Sequence, residues 1–198
     1  MGGYGRMNID NVKVSVREFA GSYRDVADSA RTTIGLDKVE KEVSEKYMFK
    51  MYKAEHSCIR LRQFEVIIDN IPYWVAMHLV RHHQGVEKFV STQRTDRTGE
   101  DREVKSQDAP VKLQLNLNAQ AFINISRKRL CCQASKETRE IWNKILLELS
   151  DIDYPLYRSC VAECVYRGHC PEYKPCGYTN SPLYHIELEN YRTAIDEF

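Results

Sequence analysis

The segment Val75-Ala-Met-His-Leu-Val-Arg-His-His-Gln-Gly-Val-Glu-Lys-Phe-Val-Ser91 decides how this chain is read. Pro72 stands just before it and suits the first turn of a helix, where a missing N–H costs nothing. Read as a helix, the segment places His78, Arg81 and His82 at i, i+3 and i+4, on one face. Val75 and Leu79 fall elsewhere on the turn and can face a core. Arg81, His82, His83, Gln84 and Lys88 then crowd the helix exit, which Gly85 turns sharply. Guanidinium, imidazole and ammonium donors at one turn suit a planar, anionic ligand. They equally suit a solvated helix end, because cations are favoured at a helix C-terminus.

The flanking chain reads as alternating strands and helices. Arg62 to Ile68 alternates Phe64, Val66 and Ile68 against Gln63, Glu65 and Ile67, a strand pattern, and Asp69-Asn70 turns it. Asn8 to Ser15 reads as a short strand. Phe19 to Arg31 has helical spacing, ended by Gly35. Asp37 is positioned to cap a second helix from Lys38 to about Ala54. Ser91 to Asp108 is the most polar part and reads as a solvated loop. Its Arg94, Arg97 and Arg102 also suit closure over a phosphate.

Pro110 precedes a predicted long helix from about Val111 to Arg129. On it Gln120, Asn124 and Arg127 share one face, and Phe122, Ile125 and Arg129 another. A helix with two such faces can serve two ligands, or two sites in an oligomer; the alternative is an ordinary amphipathic helix. Ser135 opens a further helix with Ile141, Ile145 and Leu149 inside, and Asp151-Ile-Asp153 breaks it. Tyr154 to Tyr166 reads as one short helix.

The chain has 198 residues, 42% of them hydrophobic and 29% charged, with a net charge of +1. These values suit one soluble domain over 8–198 and give no electrostatic footprint for nucleic acid or an anionic membrane. Met1 to Arg6, ahead of Met7, reads as a flexible leader (1–7). No apolar run approaches the roughly 20 residues of a membrane span. Seven cysteines, with no secretory signal, point to reduced thiols in a cytoplasm. From about 158 the tail is cysteine-rich: Cys160, Cys164, His169, Cys170 and Cys176. Thiolates and imidazole can close a zinc site, yet the spacing lacks the paired C-x2-C of common zinc motifs. Free thiols packed on a loop, or a redox-labile pair, fit as well, and no metal is assigned.

Several ordered segments resemble the flavin-dependent thymidylate synthase family. Arg81-His82-His83, seven residues, then Ser91 is similar to that family's Arg-His-Arg, seven residues, Ser. Ser29-Ala-Arg-Thr-Thr33 resembles the segment that gives a hydroxyl to the flavin. His56-Ser-Cys58 resembles a His-x-Thr flavin contact. Asn118-Ala-Gln-Ala-Phe-Ile-Asn124, followed by Arg129 and Glu137, resembles the family's Asn-x-Arg…Asn…Arg…Ala-Gln-x-Glu segment. Cys170 to Gly177 is similar to a tail found in some members. The resemblance runs from about residue 8 to about 150.

The resemblance implies an α/β (α+β) fold, an antiparallel sheet flanked by long helices, in a homotetramer with sites at subunit interfaces. It implies one-carbon transfer from methylenetetrahydrofolate to C5 of a pyrimidine nucleotide, dUMP to dTMP, with FAD as cofactor and NADPH as reductant. Thr33, His56, Cys58, Arg81, His82, His83, Lys88, Asn118, Gln120 and Asn124 would hold FAD. His78, Ser91, Thr92, Gln93, Arg94, Arg102 and Arg129 would meet the nucleotide, with Ser91 and Arg129 closest to the chemistry. Several positions depart from the family pattern: His78 replaces Gln, Phe89 replaces Glu, Thr92-Gln93 replaces Gly-Arg, Gln120 replaces Arg, and Gln133 replaces His. These changes imply two alternatives. One is a different nucleotide or product, such as hydroxymethyl. The other is a flavin- or nucleotide-binding protein without transfer.

Overall fold

The structure is a computed structural model that describes residues 9–198. The leader at 1–7 lies outside the described residues. Four antiparallel strands form one sheet in the order β1-β2-β4-β3. They are β1 (Lys13–Ala20), β2 (Gln63–Pro72), β3 (Val86–Val90) and β4 (Pro110–Asn118). The nine described helices are α1 (Tyr23–Thr32), α2 (Glu45–Lys53), α3 (Tyr73–Leu79), α4 (Thr95–Thr98), α5 (Ala119–Arg129), α6 (Lys136–Ser150), α7 (Tyr154–Ser159), α8 (Glu163–Arg167) and α9 (Pro182–Thr193). The α/β architecture agrees with the sequence reading.

Alternation builds the sheet. Phe64, Val66 and Ile68 of β2 are buried, as are Val111, Leu113, Leu115 and Leu117 of β4. Register aligns Val66 with Leu115 and, on the other side, with Val16. This face packs on α5 and α6 through Phe122, Trp142, Ile141, Ile145 and Leu149. The opposite face carries Arg17, Glu65, Gln114 and Asn116, which bond among themselves. A one-sided apolar sheet of this kind is how antiparallel strands tolerate contact with water. Beyond α7, a small second cluster of Ala162, Val165, Tyr184 and Tyr191 joins the main core through Leu130.

Several boundaries correct the sequence reading. The expected helix at Val111–Arg129 divides at Asn118. Residues 111–118 alternate with period two and pair with β2 and β3; only the part after Asn118 is helical. The expected helix through His82 ends at Leu79, and Val86–Val90 is a strand. The second helix begins at Glu45 rather than Lys38, because Ser44 rather than Asp37 caps it, accepting from the Tyr47 N–H. β1 runs to Ala20, so Phe19 is in a strand. Asp69-Asn70 does not end β2: Asn70, at φ 61°, forms a bulge within it. Tyr154–Tyr166 is two helices, not one.

The helices are fastened to the sheet by one buried carboxylate. Asp153 accepts from Arg62 Nη2 at 2.7 Å, Tyr52 at 2.7 Å and Tyr23 at 3.0 Å. It also caps α7 by accepting from Leu156 N at 3.0 Å. The Asp153 side chain is fully buried and that of Arg62 is 4% exposed. Removing one partner of such a pair strands a charge in the core, at about 3–5 kcal/mol. Asp153→Ala is expected to lose about that much stability in urea denaturation; a loss under about 1 kcal/mol would show that the clamp is dispensable.

Candidate functional site

The turn after α3 is where the sequence-predicted residues meet most closely. Arg129, at the end of α5, donates from Nε to His82 Nε2 at 2.8 Å, and from Nη2 to the His78 carbonyl. His78 Nδ1 lies 2.9 Å from the Thr138 hydroxyl on α6. Lys88, from β3, donates to the His82 carbonyl at 2.8 Å and sits 2.8 Å from His83 Nδ1. His78 and His82 do not share a helix face, since the helix has already ended. They converge because the turn folds back across α5.

Gly85 makes that turn possible. Its φ is +71°, and a Cβ there would come within 2.6 Å of the Asn118 side chain. Asn118 is held in place on both sides: its N–H donates to the Gly85 carbonyl, and its Oδ1 caps α5 at Ala121 N. Only glycine permits both the left-handed backbone and the close approach.

The electrostatics of this turn are one-sided. Among the described residues no carboxylate oxygen lies within 4 Å of Arg81, Lys88 or Arg129. Burial, and then Arg129, His83 and Lys88, push the His82 pKa down to about 4. Burial and the Arg129 and Arg81 charges lower His78 as well. Burial and Arg81 lower even the Arg129 guanidinium. His82 is therefore neutral at pH 7. With Nε2 accepting from Arg129, its proton resides on Nδ1. A half-buried cation whose partners are all neutral is set up to receive an anion.

A second group lies at the other end of α3. Ser91, Thr92, Gln93, Arg94 and Arg102 line a 210 Å³ pocket with Tyr73, Met77 and Val90. The Ser91 hydroxyl accepts from Lys112 N at 2.9 Å. Arg94 is exposed and forked onto Asp96 at 2.7 and 2.9 Å. Gln93 Nε2 is buried with no partner among the described residues.

The third group is the predicted polar face of α5. Gln120 Nε2 donates to Glu55 at 2.6 Å and to Asn124 Oδ1 at 3.3 Å. Arg127 pairs with Glu55 and lies 3.6 Å from the Tyr166 ring centroid. Burial opposes the Glu55 charge, but Arg127 and Gln120 hold its pKa below the usual carboxylate value. His56 Nδ1, next in sequence to Glu55, is buried with no partner among the described residues. Sequence reasoning missed Glu55 and Tyr166. The signal was Arg127, whose position on that face called for a carboxylate.

Two predicted residues are taken up elsewhere in the fold. Thr33 donates to the Ala30 carbonyl of its own helix at 2.7 Å. Cys58 is buried in the main core, where its thiol packs against apolar neighbours.

The depressed pKa of His82 has a consequence for pH. Its ordinary unfolded value is about 6.5, and folded it stays neutral down to about pH 4. Its contribution to stability is therefore full above about pH 6.5 and is lost as pH falls toward 4. In urea denaturation, His82→Asn is expected to lose less stability than the parent between pH 7 and pH 5. An identical pH slope in the variant would contradict the assignment.

No protein-family model matches the chain, and no curated protein matches it by sequence. Solved structures match it by fold. Flavin-dependent thymidylate synthase ThyX from Helicobacter pylori, complexed with FAD and dUMP, superposes at a TM-score of 0.61 with 12% identity. That alignment covers 75% of this chain and 99% of the other. A UMP/dUMP methylase, PolB, from Streptomyces cacaoi, bound with 5-Br dUMP, superposes at a TM-score of 0.60 with 11% identity. It covers 75% of this chain and 94% of its own. Sheet order, helix placement and these superpositions together give the chain the fold of the flavin-dependent thymidylate synthases.

Proposed function

We propose that this chain transfers a one-carbon unit from methylenetetrahydrofolate to C5 of a pyrimidine nucleotide, dUMP foremost. FAD is its cofactor, NADPH the reductant and the cytoplasm its setting. The observation that carries this reading is Arg129: a half-buried guanidinium held on two histidines, with no carboxylate beside it among the described residues. The solved neighbours of this fold include complexes with FAD and dUMP, and both of those ligands are anionic.

The donor set fits such a cofactor. Arg81, His82, His83 and Lys88 offer cationic and imidazole donors in one turn, and Asn118 abuts the same turn. His56, Gln120 and Asn124 add the polar face of α5, where the His56 Nδ1 is unclaimed. Thr33 and Cys58 complete the proposed flavin set. When bound, FAD supplies the hydride that completes the methyl group. Arg129 is the residue for the nucleotide. Its charge stabilises negative charge that develops on the pyrimidine as C5 becomes nucleophilic. His82 orients it and, being neutral, does not compete for the anion. Ser91, Thr92, Gln93, Arg94 and Arg102 form the second nucleotide-facing surface, with His78 supporting Arg129 through its carbonyl.

These groups lie at both ends of α3 and along α5. A homotetramer with sites at subunit junctions would unite them. The unpartnered Gln93 amide, in place of a family arginine, favours a second reading in which the nucleotide or the product differs.

Anaerobic reaction of the purified chain with FAD, NADPH, methylenetetrahydrofolate and each of dUMP, dCMP, UMP and CMP tests both readings by product mass. dTMP from dUMP is expected. A product from another nucleotide alone, or a hydroxymethyl product, selects the second reading. Arg129→Gln is expected to lower turnover about 100- to 1,000-fold with unchanged circular dichroism. A protein that binds no flavin and yields no product from any nucleotide overturns the proposal.

A further inference from the structure

Five of the seven cysteines gather beside the second cluster, and the proposed function uses none of them. Cys131 and Cys132 stand in the turn between α5 and α6, Cys164 on α8, and Cys170 and Cys176 in the loop that follows α8. Cys58 and Cys160 are buried in the main core instead. The loop is fastened on both sides of Cys176. Ahead of it, the Lys174 carbonyl accepts from Gln133 Nε2 at 2.8 Å. Behind it, Asn180 N donates to the Gly177 carbonyl at 3.0 Å, and the Tyr178 ring lies edge-on to Tyr184 at 5.8 Å. Gln133 directly follows Cys132, so the first anchor brings the loop onto the Cys132 turn. There the two side chains meet: the Cys132 thiol hydrogen-bonds to Cys176.

Thiols drawn together from three segments serve either a metal or each other. A metal needs thiolates arranged around one point. Among the described residues no three His, Cys, Asp or Glu side chains are placed to hold an ion. Burial, and then Cys131, push the Cys164 thiol up to about 11, and burial followed by Cys176 raises Cys132, so both stay protonated. Exposure separates the contacting pair from the rest. Cys132 and Cys176 are exposed, whereas Cys131, Cys164 and Cys170 are partly covered. An exposed pair of touching thiols is open to a solvent-borne oxidant and has its partner already in reach.

We propose that Cys132 and Cys176 form a reversible dithiol–disulfide pair that locks the loop after α8 onto the turn between α5 and α6. The oxidant is a small-molecule disulfide of the glutathione kind. The Cys176 thiolate attacks it, one S–S bond breaks, and one small thiol leaves. The Cys132 thiol then loses its proton and attacks the Cys176 sulfur, which releases the second small thiol. Two protein thiols are oxidised and one small disulfide is reduced to two thiols. The bond spans 44 positions and ties α9 and the second cluster to the turn that begins just beyond Arg129. An exposed disulfide of this kind responds to the surrounding thiol pool, unlike a buried structural one. The inference rests on the loop geometry alone and does not depend on the proposed reaction.

The test treats the reduced full chain with mixtures of oxidised and reduced glutathione, blocks the remaining thiols with iodoacetamide, and reads intact mass and peptide maps. Loss of two hydrogens and a single cross-linked peptide joining Cys132 to Cys176 are expected, both reversed by dithiothreitol. Closing so long a loop is expected to raise Tm by at least about 4 °C. Both residues are exposed, so serine replacements leave the fold intact. In Cys132→Ser the first step is expected to stop at a glutathione adduct on Cys176, and Cys164→Ser is expected to keep the parent cross-link. A parent chain that only accumulates glutathione adducts, a cross-link through other cysteines, or a stoichiometric metal ion bound to the reduced chain overturns the proposal.

Discussion

The buried pair between Arg62 and Asp153 is the constraint on which the rest of this structure rests. The two residues lie 91 positions apart in sequence and meet with almost no solvent. A charge pair in that setting is tolerable only when its remaining hydrogen-bond capacity is also filled. Here it is. Tyr23 and Tyr52 donate to Asp153, and Arg62 donates to the Gly21 carbonyl and to Glu18. Burial pushes the Tyr52 phenol far above its usual pKa, with Asp153 adding to it, so the hydroxyl remains a donor. Gly21 is needed for the same assembly: a Cβ there would lie 2.0 Å from the Leu61 carbonyl oxygen. α1, α2, α7 and the start of β2 are thus fixed by one set of polar contacts.

The clamp also places the candidate site. The Arg62 carbonyl accepts from Ala119 N, so α5 starts from the same point. Ten residues later that helix ends at Arg129. The two arginines make an instructive contrast. Arg62 is deeply buried and matched by two carboxylates, so its charge is consumed by the fold. Arg129 is half-buried and matched by an imidazole and a carbonyl, so its charge remains available. The neutral His82 preserves that availability, because a carboxylate in its place would cancel the field an anion needs.

Much of this was legible from local pattern. The β2 alternation, the Ser135 cap, the inward Ile141, Ile145 and Leu149, and the shared face of Gln120, Asn124 and Arg127 all follow from spacing alone. Two strands were hidden for identifiable reasons. Val111 to Asn118 carries a clear two-residue period, but it runs directly into a helix whose polar face invited backward extension. Asn118 is the point where the period changes, since its side chain caps the helix while its backbone still pairs with β2. Val86–Val90 is only five residues long and lacks clean alternation. Its strand conformation comes from pairing with β4, which no local window contains.

The residue order alone settled the donors that gather near Arg81, the glycine that turns them, and the amphipathic periods of the main elements, because these depend on chemistry within a few residues. Tertiary structure decided which of those donors meet. Arg129 reaches His82 across 47 positions, Glu55 reaches Arg127 across 72, and Asp153 finds Tyr23 across 130. Such contacts form only when the sheet register and helix packing bring distant chain together, and the cost of closing those loops is met by the core as a whole rather than by any local signal.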